Sequence, residues 1–277
     1  MNEKDIKEIH ARLTNQVKEY IFAILSKYGK YMPDEQRKKL EDITDFSRVV
    51  HIESFGSING YAGPGGVYLP LDAFKVIELI KQIPEYGSDK NHRCYQPDSL
   101  IQNDNTFMTY IHHMIVSGAT VEDYYQDLLL HEVMHYCGSG GSTALREGLN
   151  ELLTRKIALE KGFRTNGCAY PKEVAMCLEL EKIFGEDVMN QISFIPEEQK
   201  VFSYLETMLG EKEANLYRKV SFSMEQSFSN QYYRYMNTFQ GIDGVYEKEK
   251  RYRNICYDKA YQLIRNYKQD MLDSNQK

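Results

Sequence analysis

Residues 128–154 read LLLHEVMHYCGSGGSTALREGLNELLT, and the reading of this stretch organises the rest of the chain. It opens with His131-Glu132-Val133-Met134-His135, an HExxH pattern. On a helix, side chains four apart project from one face, one turn above the other. Both imidazoles can therefore reach a single metal ion. Glu132 falls about 100° round the helix from His131. There it can take a proton from a water that the metal activates. The preceding residues 121–130, VEDYYQDLLL, read as the start of the same helix, with acidic residues in its first turn. Leu128, Leu129, Leu130, Val133 and Met134 give it a wide apolar surface, which predicts a buried helix. It should stop at Gly138-Ser139-Gly140-Gly141-Ser142.

A catalytic zinc takes three protein ligands and keeps one position open. His131 and His135 supply two. The metzincin pattern HExxHxxGxxH is followed as far as Gly138, but Gly141 stands where its third histidine belongs. The next helix offers a different ligand. TALREGLNELLT, residues 143–154, has helical patterning, with Thr143 or Ser142 as N-cap. A short connection lets the two helices run back antiparallel. Glu147 then returns to the level of His135 as third ligand, and Glu151 to the level of His131. Glu151 is placed to accept from a histidine's other ring nitrogen, fixing its tautomer and orientation. Gly148 removes a side chain where these two helices would approach most closely. The alternative is an acidic, solvated helix face.

HEVMH followed by REGLNE resembles the gluzincin branch of zinc metallopeptidases, most closely the compact minigluzincin type. The resemblance implies zinc bound by His131, His135 and Glu147, with Glu132 as general base and Glu151 supporting the first histidine. It also implies a zincin-like α+β fold, predominantly helical. A small mixed sheet precedes the HExxH helix, and a helical subdomain follows it. The expected division is residues 1–137 and residues 138–277, together one compact catalytic unit. Related enzymes stabilise the oxyanion with a tyrosine or histidine. Tyr170, which follows the ligand helix, is the candidate here. The implied activity is hydrolysis of a peptide bond in a peptide or protein substrate.

The composition narrows the alternatives. The chain has 277 residues, enough for one large domain or two small ones. Its net charge of −6 and lack of a compact basic block argue against nucleic acid as a partner. The charged start and the lack of a long apolar run predict neither a secretory signal nor a membrane span. Cys94, Cys137, Cys168, Cys177 and Cys256 are odd in number and form no CxxC pair. This fits free thiols in a reducing compartment, hence a cytoplasmic location. Cys137 reads as a small buried thiol rather than a ligand. With 22 Tyr in the chain, a single tyrosine says little about catalysis.

Residues 5–30 carry a helical apolar stripe, and Pro33-Asp34-Glu35 opens a shorter helix to about Asp42. SRVVHIESF, residues 47–55, reads as a strand. The glycine-punctuated residues 56–66 lack a phosphate-loop ending and read as turns with room for a further short strand. Residues 67–69 read as a strand, 70–83 as a helix, 84–99 as a loop and 105–116 as an extended segment. His112 and His113 in that segment read as exposed polar residues, with a metal or substrate role left open. Helices are expected over 171–184, 186–192, 196–209, 212–239 and 247–272, with a break at Gly241-Ile242-Asp243-Gly244. The stripe Met224, Phe228, Tyr232, Tyr235, Met236, Phe239 reads as helix–helix contact. Two other functions stay open: a zinc-binding regulatory or protein-interaction module, and a zinc amidase acting on a non-protein amide such as a cell-wall fragment. The intact Glu132 favours an enzyme, since binding zinc does not require it.

Overall fold

The computed structural model describes residues 3–54, 60–71, 121–141, 143–165, 170–235 and 243–275. The expectations for 72–99 and 105–116, with His112 and His113, lie outside these residues, as do Ser142, Cys94 and Cys168. The chain divides into two compact units. Met1–Gly140 with Asn150–Pro171 forms the first, and Gly141–Leu149 with Lys172–Lys277 forms the second. Mostly helical, the described fold also holds one small mixed sheet.

In the first unit, α1 spans Glu3–Tyr28 and α2 spans Asp34–Glu41. Leu13, Val17, Ile21, Ile24 and Tyr28 are fully buried, so the apolar stripe of α1 faces the core as its spacing predicts. Three strands follow: β1 (Val50–Glu53), β2 (Tyr61–Gly63) and β3 (Gly66–Pro70). Their order is β1-β3-β2, with β1 parallel and β2 antiparallel to β3. The strand expected from Ser47 begins only at Val50. Residues Phe46–Arg48 form a 3-10 turn instead, because the Asp45 carboxylate accepts from Ser47 N at 3.1 Å and Ser47 Oγ at 2.6 Å. A short acidic side chain that captures nearby donors diverts the backbone from a ladder.

Alternation across the pleat sorts the sheet's side chains. Val50, Val67 and Leu69 are buried on one face. The other face carries a row of rings across all three strands. His51 stacks on Tyr68 at 4.5 Å, and Tyr68 on Tyr61 at 4.6 Å. Helix α3, Val121–Tyr136, carries the HExxH residues and packs against α1, β2 and β3. Its Leu129, Leu130, Val133 and Met134 have no exposed surface. The Tyr125 hydroxyl donates to Pro70 O at 2.8 Å, tying the helix to the end of β3.

Helix α4 spans Ala144–Lys161, and the chain passes between units within it, after Leu149. In the second unit follow α5 (Pro171–Phe184), α6 (Glu186–Ser193), α7 (Glu198–Leu209), α8 (Glu211–Tyr235) and α9 (Asp243–Asn275). α7 packs on α8, and α8 on α9. Tyr257, Ala260, Ile264 and Tyr267 are buried at alternating three- and four-residue spacing, the core stripe of α9. Gly244, expected in a break, lies in the first turn of that helix. Backbone N–H groups there lack helical partners in any case, so glycine costs little. Met224 of the aromatic stripe is buried; the remaining side chains of that stripe lie outside the described residues.

Two buried contacts in the second unit fix the start of α4. Arg146, 2 % exposed, donates to Ile192 O at 2.6 Å, Ser193 O at 3.4 Å and Ile195 O at 2.5 Å. It thereby satisfies carbonyls at the end of α6. Gly148 meets α5 rather than the HExxH helix, which corrects the expected partner. A Cβ at Gly148 would stand 2.4 Å from Glu173 Cβ and 2.8 Å from Glu173 O. Gly148→Ala should therefore force α4 and α5 apart and lower stability by about 1–3 kcal/mol. Denaturant unfolding measures this; an unchanged midpoint would contradict the close approach.

Candidate metal centre

The end of α3 is set by local backbone geometry. Gly138 N donates to His135 O at 2.8 Å and Ser139 N to Met134 O at 3.2 Å, with Gly138 at φ +97°. This is a Schellman ending, which needs the left-handed conformation glycine supplies. Gln36 Nε2 adds a bond to Tyr136 O at 2.8 Å, so α2 covers one of the last carbonyls. Reversal of the chain brings Ser139 O back to the histidine above it. His135 Nδ1 donates to that carbonyl at 3.0 Å. Gly140 lies against the same ring, where a Cβ would stand 2.8 Å from His135 Cε1 and 2.9 Å from Nδ1.

Thr143 directly precedes α4, and its Oγ1 accepts from Arg146 N at 3.4 Å, so Thr143 fills the N-cap position. One turn past Glu147, Glu151 has no exposed surface. Its Oε2 accepts from His131 Nδ1 at 2.8 Å, and its Oε1 accepts from Arg155 Nε at 2.7 Å. Arg155 is 3 % exposed. The guanidinium gives this buried carboxylate an opposite charge close by, as a buried carboxylate needs.

These contacts engage one ring nitrogen of each histidine. Ser139 O is a carbonyl and only accepts; Glu151 is a carboxylate already accepting from arginine. Each histidine therefore has its Nδ1 engaged by an acceptor, which leaves Nε2 as the ring nitrogen open to a metal ion. The two Nε2 atoms face each other at 3.2 Å. Two nitrogens each about 2.05 Å from one tetrahedral ion stand about 3.3 Å apart, so the spacing fits a shared cation. His131, His135 and Glu147 offer ligand atoms that all lie within 4.8 Å of one another. The residues present thus fit a metal ion held by two imidazoles and one carboxylate.

Glu132 is 7 % exposed and borders Gly60 at the approach to β2. A Cβ there would come within 3.1 Å of Glu132 Cγ and 3.3 Å of Oε1, so a residue without a side chain leaves the carboxylate its space. Tyr170 stacks on His131, with ring centroids 5.6 Å apart and planes 19° from parallel. Its backbone is left-handed at φ +51°, unusual for a non-glycine residue, and it directly precedes Pro171, the first residue of α5. Cys137 is a free, fully buried thiol whose pKa burial pushes far up. It is not among the residues whose ligand atoms cluster.

His131, His135 and Glu147 lie together, and Glu151 lies beside His131, as their spacing in the sequence predicts. Asn150, Arg155, Gly60 and Gly140 also border the site, and no motif marks them. Arg155 was legible as an ion pair with Glu151, one turn apart on a helix. Asn150 shares the helical face of Glu147, a signal that its neighbours' stronger motif hid. Comparison with protein-family models, curated proteins and solved structures finds no match to this chain.

Proposed function

We propose that this chain is a zinc-dependent metallopeptidase that hydrolyses peptide bonds in a peptide or protein substrate. One observation supports the reading above the others: two Nε2 atoms stand 3.2 Å apart, with each Nδ1 committed elsewhere. Two histidines and a glutamate form a donor set of catalytic zinc sites, which leave a position for water. Zinc in this place supplies Lewis acidity and lowers the pKa of water toward ~7. Glu132 is the general base in this reading: it takes the proton of the attacking water and delivers it to the leaving amine. Glu151 holds the His131 ring in the orientation that keeps Nε2 forward. Tyr170 is the candidate donor to the oxyanion, favoured by its place against His131.

The test combines elemental analysis of chelator-free protein with cleavage of a peptide library. The expected result is one zinc per chain and cleavage that stops on chelation and returns with zinc. Protein without stoichiometric metal after zinc addition at neutral pH would sink the reading. Zinc binding with no peptide cleaved would shift it to a binding module or a different amide. Among the described residues no helix is long and apolar enough to cross a membrane.

A further inference from the structure

Asn150 has no exposed surface. Its Nδ2 donates to His131 O at 3.1 Å, and among the described residues its Oδ1 meets no hydrogen-bond donor. A buried amide oxygen left unmatched costs stability. The neighbouring Leu149, Leu152 and Leu153 are themselves fully buried. A leucine at 150 would keep the count of side-chain heavy atoms and the branch at Cγ, and remove the unmatched oxygen. Stability alone therefore does not explain an amide here.

Its donor contact does. The carbonyl it holds is the one that helical geometry assigns to the His135 N–H. Glu151, the adjacent residue, accepts from the His131 ring at 2.8 Å. Two consecutive residues of α4 thus hold His131 at its backbone and at its ring. Glu147 lies one turn earlier on the same helical face. A slide of α4 along α3 would break the Asn150 contact and separate both glutamates from their histidines together.

We propose that Asn150 is a positioning residue of the metal centre, fixing the register in which Glu147 and Glu151 address the two histidines. The proposal rests on the metal-centre reading above. It predicts that the amide serves metal binding and not folding.

Asn150→Leu in the full chain separates the two roles. Metal-free wild type and variant are compared by thermal unfolding. Zinc affinity is measured by competition with a chromophoric chelator. The variant should unfold at the same temperature as wild type or higher, yet bind zinc about 10–100-fold more weakly, the range for losing an outer-shell contact. Its cobalt-loaded form at saturating metal should show shifted visible bands, because the ligands no longer meet the ion in the same geometry. Equal zinc affinity with an unchanged cobalt spectrum overturns the proposal. If Asn150→Leu folds poorly, Asn150→Ala is measured the same way, and the cobalt spectrum decides: shifted bands support positioning, and unchanged bands reject it. A wild-type chain that takes up no zinc fails the metal-centre reading itself, an outcome distinct from either.

Discussion

Glu132→Gln is expected to lower the rate of peptide cleavage by about 10²–10⁴-fold, the usual contribution of a positioned acid–base group, while zinc stays bound. The substitution keeps the length and shape of the side chain and removes its basicity. Glu132 is not among the clustered ligand residues His131, His135 and Glu147, so zinc content should match wild type. Its surroundings also favour a folded variant. The side chain is buried against Gly60, and a neutral amide of the same volume needs less solvation than a carboxylate. A loss of activity in the variant would therefore report chemistry and not unfolding. The measurement is kcat on a peptide cleaved by wild type, with zinc content determined on the same preparations. An unchanged kcat would remove Glu132 from the role of base. Loss of zinc together with activity would show instead that the carboxylate helps hold the metal.

The residues that were legible in the sequence are those whose role is written in periodicity. The stripe of α1 and the apolar run ahead of His131 each predict which face is buried, and burial follows them. The triad was legible because a four-residue spacing and a glycine-rich turn constrain where side chains can go. The contacts that escaped depend on partners distant in sequence. Gly148 reads as a close approach, but only the packed chain shows that Glu173 is what approaches. Asp45 captures Ser47 and shortens a strand that β-branched residues alone would begin earlier. Asn150 looks like one polar residue in a leucine-rich helix until its amide is seen on the His131 carbonyl. Periodicity reports the face a residue occupies; it does not report which atom of a neighbour it meets.

Glu147→Ala should weaken zinc retention far more than Glu151→Ala, and the order follows from where each carboxylate ends. Glu147 offers its oxygen to the same cluster as the two histidines. Removing it leaves two nitrogen ligands, one short of the three that hold a catalytic zinc. Glu151 meets His131 at Nδ1, on the far side of the ring from Nε2. Its loss leaves all three ligands in place and frees the ring to turn, which costs about 10–100-fold in affinity. Folding should separate the pair in the opposite direction. Glu151 is wholly buried between His131 and Arg155, so Glu151→Ala removes the carboxylate to which the buried Arg155 Nε donates. Breaking a buried pair in this way typically costs about 3–5 kcal/mol. Glu147→Ala should cost the metal-free protein less, since it removes no partner of that pair. Chelator competition and denaturant unfolding on both variants read the two effects independently. If Glu151→Ala proves the more damaging to zinc binding while its metal-free fold is intact, Glu151 and not Glu147 is the third ligand.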